Sequence, residues 1–229
     1  RTIMLLFLVA IITGSPAAPN QFPHHGYLAV RINSISSIVC AASLISTRWA
    51  ITAAHCLQRY ASAELYLGNI ASDSSPVVIT TTNFHVHPNY DSFTLINDIA
   101  LLGWNRNLCC IYNELTRNPF TFYIFFVGGS TSSILRYVNL RVITNAVCQQ
   151  SFGSTIIAST ICAVGSTSSA QGGDSGGPLI LGSGTNATLV GIVSFVSTAG
   201  CTSSFPNGFV RPNHFVSWIN SVTGLRFDE

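Results

Sequence analysis

Three short segments of the 229-residue chain carry side chains that together can perform nucleophilic catalysis. The segment TAAHC contains His55, NDIALL contains Asp98 and GGDSGGP contains Ser175. A serine hydroxyl attacks poorly at neutral pH unless a base removes its proton and a third group holds that base in the correct tautomer. Histidine and aspartate are suited to these two tasks, so the sequence predicts a serine nucleophile wherever the fold brings the three side chains together.

The glycines around Ser175 predict a second part of the same chemistry. A loop of glycines can turn the backbone amides of Gly173 and Ser175 towards one point, because no side chain hinders the required conformations. Two such donors stabilise the negative charge that develops on an attacked carbonyl oxygen, and losing one typically costs about 3 to 4 kcal/mol. Gly173 and Ser175 are therefore the predicted oxyanion hole.

The overall composition narrows the class of protein. Hydrophobic residues make up 48% of the chain and charged residues only 8%, whereas about 25% of a typical soluble domain is charged. Basic and acidic residues are scattered rather than clustered, so we expect no nucleic-acid partner. The amino-terminal run RTIMLLFLVAII is too short to cross a bilayer, so we expect no membrane association. Because no CxxC pair occurs, we also expect no structural metal. We expect no cofactor.

The elements that must position these side chains are predicted to be strands. Short runs rich in Val, Ile, Thr and aromatic residues, such as YLAVRI and VVITTTNFHV, are separated by Gly, Ser, Asn and Pro. This pattern is typical of an all-β barrel or sandwich. Near the carboxyl end, apolar residues recur at spacings of three and four before Gly224, which predicts a terminal amphipathic helix.

The residues around the three catalytic positions, and their order along the chain, resemble the trypsin and chymotrypsin family of serine proteases from about residue 11 to the end. The resemblance implies an all-β fold of two antiparallel, six-stranded-type Greek-key barrels followed by a C-terminal helix. It implies that Ser175 attacks the peptide bond, that His55 acts as general base and acid, and that Asp98 orients His55. Ser194, in GIVSFV, matches the serine that supports the buried aspartate.

The same resemblance divides the chain. The expected parts are a signal-like or pro-segment at 1–10 and a protease domain at 11–229, made of a first barrel at 11–110, a divergent linker at 111–126, a second barrel at 127–212 and a C-terminal helix at 213–224. Residues 103–126 depart from the family pattern, which predicts disruption of the second half of the first barrel. An altered reading frame or gene model would explain this departure, and the loss of a strand would leave an open sheet edge.

Four of the seven cysteines match family disulfides. The resemblance pairs Cys40 with Cys56 and Cys148 with Cys162, each closing a loop of about 15 residues, which stabilises by roughly 3 kcal/mol in the chain-entropy model.

The third family bridge is missing, because Gln171 stands where relatives carry a cysteine. Cys201 is then either a free thiol or a partner of Cys109 or Cys110. Without this bridge, we expect a looser specificity pocket.

Proteases of this family are activated when cleavage creates a new amino terminus. For the amino-terminal segment of this chain, two interpretations exclude each other. By resemblance, the amine of Ile11 pairs with Asp174 after cleavage. Ala10 precedes Ile11 where relatives carry Arg or Lys, so a trypsin-like activator would not cut there. A signal-peptide cut near Ala17 would remove Ile11 altogether.

Substrate preference follows from the pocket positions that the resemblance assigns. Ser169 lies at the base, where trypsin-like members carry an aspartate, and Val196 and Asn207 lie on the walls. Without a buried counter-charge, Lys and Arg lose their anchor. We therefore expect cleavage after apolar residues, with chymotrypsin-like and elastase-like preferences both open.

The predicted protein is a secreted, extracellular monomer that acts on polypeptide substrates, with protein protease inhibitors as further partners. Asn186 begins the sequon NAT and is a predicted glycosylation site. His24 and His25 are expected in a surface loop. The main alternative is a catalytically silent protease homologue that acts as a binding or regulatory module, and a lectin-like β-sandwich is a distant third.

Overall fold

A computed structural model describes residues 2–7, 14–18, 21–68, 77–105, 108, 135–165, 174–196 and 205–227. The strands of the first half of the chain are β1 Thr2–Phe7, β2 Ser15–Pro16, β3 His25–Arg31, β4 Ser37–Leu44, β5 Trp49–Thr52, β6 Ala63–Leu67, β7 Val77–Thr81, β8 Asn83–Val86 and β9 Ala100–Gly103. Those of the second half are β10 Arg136–Ile143, β11 Thr160–Val164, β12 Pro178–Leu181, β13 Thr188–Phe195 and β14 Asn207–Val210. The helices are α1 Ala54–Leu57, α2 Asn145–Phe152 and α3 Val216–Thr223.

The strands form two curled antiparallel sheets, as the predicted two-barrel fold requires. The first sheet has the order β7-β6-β3-β4-β5-β9-β8 and the second has the order β1-β12-β13-β14-β11-β10-β2. Each sheet therefore has seven strands in the described part of the chain, where the resemblance implied six. The short strand β2 adds to the edge of the second sheet by pairing with the start of β10.

Alternation of apolar and polar side chains determines which face of the first sheet covers its core. Along β6, Ala63, Leu65 and Leu67 are buried, while Glu64 and Tyr66 between them lie on the other face. Since successive side chains of a strand point to opposite faces, one face of β6 enters the core and the other meets solvent. Full burial of each leucine contributes about 1.5 to 3 kcal/mol.

The first sheet is continuous beyond Asp98, which differs from the predicted disruption. Strand β9 begins two residues after Asp98 and pairs with both β5 and β8. Its four residues are buried. The second half of the first barrel is therefore built through Gly103, whereas the predicted linker at 111–126 lies outside the described residues.

The second sheet closes on itself through the amino-terminal strand. β1 pairs with β10 along all six of its residues and with β12 through Met4 and Leu5. Six strands thereby form a ring in the order β1-β12-β13-β14-β11-β10, and a closed ring leaves no unpaired edge between its members. The expectation that residues 1–10 are a signal-like or pro-segment concerns processing, and it stays a prediction.

The predicted C-terminal helix is confirmed as α3, preceded by a 3-10 turn at Pro212–Phe215. Gly224 ends it in the left-handed conformation, with φ of 71° and its amide bonded to the Asn220 carbonyl. The ring of His87 lies edge-on to Phe215 and Trp218 at centroid distances of 5.1 and 5.0 Å. These contacts hold the end of the chain against the first sheet.

Two histidines lie elsewhere than predicted. His25 starts β3 and is 5% exposed, and His24 beside it is partly buried, so the surface-loop prediction is wrong for this pair. His24 lines a cavity of about 150 Å³ together with Ser43 and Leu44 of the first sheet and residues of the second, and His25 pairs with Ser43. Among the described residues, no helix is both long and apolar enough to cross a membrane.

Candidate active site

Strand pairing in the first sheet brings His55 and Asp98 together. Thr52 ends β5 and pairs with Ala100, the first residue of β9. His55 follows Thr52 by three residues, in the short helix α1, and Asp98 precedes Ala100 by two. Both side chains are therefore presented at the same end of the sheet.

Asp98 holds His55 through two contacts of 2.8 Å. Its Oδ1 accepts the backbone N–H of His55, and its Oδ2 lies against His55 Nδ1. Asp98 is fully buried, whereas the His55 side chain is 27% exposed. Because a carboxylate can only accept, Nδ1 carries the proton and Nε2 is left with a free lone pair on the open side. This is the tautomer that a general base needs.

A third contact to Asp98 comes from the second sheet. Ser194, in β13, donates its hydroxyl to Asp98 Oδ2 at 2.5 Å and is itself buried. A buried carboxylate without such donors would be strongly disfavoured, so the three contacts to Asp98 offset the cost of removing it from water. The hydrogen bond that the prediction for Ser194 requires is thus present.

The turn that carries Ser175 is fastened to the second sheet. The Gly176 amide donates to the Val193 carbonyl at 2.8 Å, and the Val193 amide donates to the Gly177 carbonyl at 2.9 Å. Gly176 has φ of 79°, and a Cβ atom there would collide with Thr52 Oγ1 and the Ala41 carbonyl oxygen. Only glycine fits this close approach of the two sheets.

The backbone of Ser175 docks directly on the first sheet beside His55. Its carbonyl accepts the Ala41 amide at 2.8 Å and lies 3.8 Å from Cys56 Sγ. Within the described residues, no hydrogen bond joins the Ser175 hydroxyl to the His55 ring. Such catalytic hydrogen bonds are often long before substrate binds and tighten in the complex, so proton transfer here requires the hydroxyl to approach Nε2.

Both disulfides that the resemblance implies are present, Cys40–Cys56 and Cys148–Cys162. The first ties β4 to α1, and its sulfurs lie within 4.8 Å of a ring nitrogen of His55. Since these sulfurs are bonded to each other, they are not the thiolates that bind metals. Gln171, Cys109, Cys110 and Cys201 lie outside the described residues.

The remaining predicted site residues are only partly described. Asp174 is fully buried next to Ser175, while Ile11, Gly173 and Ser169 lie outside the described residues. The activation pair, the second oxyanion donor and the pocket base therefore stay predictions.

The two predicted pocket walls lie on neighbouring strands of the second sheet. Val196 is half-buried just after β13, and Asn207 begins β14, which pairs with β13. Asn207 is 1% exposed, and its side-chain amide atoms have no hydrogen-bond partner among the described residues.

The predicted glycosylation site Asn186 lies at the end of a 3-10 turn and is exposed. A glycosylated asparagine must be accessible at the surface, and this position meets that requirement.

Two residues of this site were missed at the sequence level. Ala41 binds the Ser175 carbonyl, and Thr52 donates its buried hydroxyl to the Ala41 carbonyl at 2.7 Å. The run of small residues CAAS around Ala41 was the only signal, because small side chains permit such close contact between backbones. Small residues have many other uses in strands, so this signal is weak.

Comparison with known proteins identifies relatives over nearly the whole chain. Residues 11–219 match the family described as Trypsin. A collagenase of Hypoderma lineatum is 34% identical, with 95% of this chain and 88% of the relative covered. A brachyurin of Leptuca pugilator is 33% identical, with 94% and 99% covered. The solved HL collagenase structure superposes with a TM-score of 0.76 at 29% identity, covering 94% of this chain and 100% of that one.

Proposed function

Because the chain belongs to the trypsin family of serine proteases, we propose that it is a secreted serine endopeptidase that cleaves after apolar residues. The observation that carries this proposal is the buried Asp98, which holds His55 in the tautomer of a general base beside the Ser175 turn. No cofactor takes part in the proposed reaction.

The reaction proceeds in two halves. His55 Nε2 takes the proton of the Ser175 hydroxyl as its oxygen attacks the carbonyl carbon of the substrate, and Asp98 stabilises the resulting imidazolium. The amides of Gly173 and Ser175 hold the oxyanion. His55 then protonates the leaving amine, which departs and leaves an acyl-enzyme. Water, deprotonated by His55, attacks the ester and releases the acid and the free serine.

The preference for apolar residues before the scissile bond rests on the predicted pocket. Ser169 places no charge at its base, and Val196 and Asn207 narrow its mouth where relatives have glycine. Chymotrypsin-like and elastase-like preferences both fit these residues. The substrates are polypeptides, and protein protease inhibitors are proposed as further partners of the monomer.

Secretion and activation complete the proposal. The two disulfides fit an oxidising compartment. Activation would bury the amine of Ile11 against Asp174, whose position in the core suits an ion pair of this kind. Sequencing the amino terminus of the secreted protein tests this part, since a start other than Ile11 removes the pair.

A second candidate is a catalytically silent homologue that binds other proteins. The absence of a bond between the Ser175 hydroxyl and His55 in the described residues favours it, as does Gln171 in place of a bridging cysteine. A fluorophosphonate probe separates the two, with Ser175→Ala as the control. We expect labelling of the native protein alone. No labelling of correctly folded protein with a defined amino terminus would exclude the peptidase.

A further inference from the structure

The inter-sheet cavity, which has a volume of about 150 Å³, shares none of its lining residues with the candidate active site. Its main lining residues are His24, Ser43 and Leu44 on the side of the first sheet and Ile180, Ala187 and Leu189 on the side of the second. The Gly184 amide donates to the Gln21 carbonyl at 2.9 Å, which fastens the turn between β12 and β13 beside the cavity. Since a water molecule takes up about 30 Å³ in the liquid, this space suits a small ligand.

Polar atoms without partners surround the inter-sheet cavity. Ser43 is 2% exposed and its hydroxyl has no hydrogen-bond partner among the described residues, and His24 Nε2 is likewise buried and unpartnered. His25 is the cross-strand partner of Ser43, so the two side chains leave the sheet on the same face with Cβ atoms about 5 Å apart. Both ring nitrogens of His25 are also buried without a partner in the described part of the chain. Because buried polar atoms are nearly always hydrogen-bonded, this cluster indicates a ligand.

The two imidazoles share an environment that lacks negative charge. Burial lowers the pKa of His24 to about 4, and burial, then the charge of His24, lower the pKa of His25 to about 3. The histidine is the only titratable side chain among the described residues that line the cavity. On the same face of β3 as His25, burial raises the pKa of Tyr27, so its phenol stays neutral in acid. No carboxylate is therefore placed to compensate a proton on either ring.

The chemistry of these groups selects the kind of ligand. A metal ion needs neutral imidazoles and further His, Cys or carboxylate ligands. In the described residues, a group of three such side chains occurs only at Cys40, His55 and Cys56, and not at this cavity. A protonated imidazole donates from both nitrogens and accepts at neither. In acid the cavity therefore offers hydrogen-bond donors and positive charge within apolar walls, and this combination suits an anion.

We propose that the inter-sheet cavity is a binding site for a small inorganic anion such as chloride, which enters as His24 and His25 take up protons. The anion supplies the counter-charge that the cavity lacks, and the Ser43 hydroxyl supplies a further donor. Because the cavity is lined by both sheets, a bound anion stabilises their docking in acid. The site is separate from the proposed peptidase chemistry, and its test requires no catalytic activity.

Scanning calorimetry in two salts of equal ionic strength tests the proposal. One contains chloride at about 0.1 M and the other camphorsulfonate, a far bulkier anion of a strong acid, so that general screening is the same in both. At pH 4 we expect chloride to favour the folded protein about tenfold more than camphorsulfonate does. For a chain of this length, that preference raises the thermal midpoint by about 4 °C. At pH 7 both histidines are neutral, so the midpoints should be equal and the Ser43 hydroxyl should have no effect through an anion.

Two variants locate the anion effect at the histidines. His25→Leu removes one of the two charges and should abolish most of the difference between the salts at pH 4. His214→Gln, at an exposed histidine outside the cavity, is the matched control and should keep the full difference. A measurement on native protein avoids any folding defect of the variants. Histidine titration by NMR should show the pKa values of His24 and His25 about one unit higher in chloride than in camphorsulfonate, which corresponds to the tenfold preference.

Bromide, an anion similar to chloride, gives the position directly through its anomalous scattering. Crystals kept at pH 4 in bromide should show a peak in the cavity between His24 and Ser43. A peak there without any difference between the salts in solution would mean an adventitious ion only, and it would overturn the proposal. Equal midpoints in the two salts at pH 4, an unchanged difference in His25→Leu, or a midpoint difference with no bromide in the cavity would overturn it as well.

Discussion

Ser194 of the second sheet donates a hydrogen bond of 2.5 Å to Asp98 of the first, so the carboxylate that holds His55 is itself held across the boundary between the sheets. The Ser175 carbonyl crosses the same boundary to accept the Ala41 amide. His55, Asp98 and the Ser175 turn therefore keep their relative positions only while the two sheets stay docked.

Ser194→Ala removes a donor from a fully buried carboxylate. We expect the free energy of unfolding to fall by about 1 to 3 kcal/mol and kcat to fall as His55 becomes less firmly oriented. Urea unfolding and hydrolysis of a p-nitroanilide measure the two effects. Ser43→Ala is the matched control, because the buried Ser43 hydroxyl has no hydrogen-bond partner among the described residues and its loss should be neutral or stabilising. Equal effects of both substitutions would contradict the assigned role.

Asp98→Asn keeps the shape of the side chain but replaces an acceptor oxygen by a donor. The amide favours the other tautomer of His55, in which Nε2 carries the proton and cannot act as base. We expect kcat to fall by about 10⁴-fold, as in the corresponding variant of a related protease, with the fold retained by circular dichroism. A decrease below tenfold would show that Asp98 does not control the tautomer.

Gly176→Ala tests the close approach of the Ser175 turn to the first sheet. The new Cβ meets Thr52 Oγ1 and the Ala41 carbonyl in a left-handed backbone, so we expect a loss of about 3 kcal/mol or more. Gly224 has a similar φ of 71° in the αL conformation, and no described atom lies within 4 Å of the position of a Cβ there, so Gly224→Ala should cost only about 1 to 2 kcal/mol. Thermal unfolding of both variants gives the comparison, and equal losses would remove the steric argument.

His25 should make the protein sensitive to acid. Burial, and next the charge of His24, lower the pKa of His25 from 6.5 to about 3, and neither ring nitrogen has a hydrogen-bond partner in the part of the chain that the structure describes. The unfolded chain binds this proton below pH 6.5 and the folded protein does not. Stability is therefore complete above pH 6.5 and falls by about 1.4 kcal/mol per unit as pH decreases towards 3.

Urea unfolding between pH 7 and pH 4 measures this slope. His25→Leu should reduce it by about 1.4 kcal/mol per pH unit, because an apolar side chain of similar size removes this protonation site while His24 keeps its own contribution. His214→Gln, at an exposed histidine near the C-terminal helix, should leave it unchanged. An equally steep slope in His25→Leu would assign the acid sensitivity to other groups, of which His24, with its pKa lowered by burial to about 4, is the nearest.

The pairing of β1 with two neighbours predicts unequal effects of proline along that strand. Leu5 pairs with Val138 on one side and Leu179 on the other, so Leu5→Pro breaks the ladder inside the ring. We expect the thermal midpoint of the chain that retains residues 1–10 to fall by about 10 °C; cleavage before Ile11 would remove β1 and this effect with it. Thr2 is the first residue of the strand, where proline is tolerated, and Thr2→Pro should change the midpoint by about 2 °C or less. Equal midpoints would show that β1 does not support the ring.

The sequence sufficed for features that depend on local motifs. The segments around His55, Asp98 and Ser175 were recognisable, and the periodicity before Gly224 predicted the terminal helix. Features that depend on pairing between distant segments of the chain could not be predicted from the sequence. The run TIMLLF has the same hydrophobicity in a signal-like segment and in a strand, so its pairing with β10 and β12 could not be predicted from it. Likewise, nothing near His25 in the sequence indicates that both its ring nitrogens are buried.

Closure of the second ring by β1 has a consequence for biosynthesis. Met4 pairs with Asn139 and Ile180, which are translated more than a hundred residues after it. Contacts between such distant parts of a chain form slowly, because a long loop must close before they contribute. The strand β1 is therefore made long before its partners, and until they are translated this apolar segment must be kept from aggregating with other nascent chains.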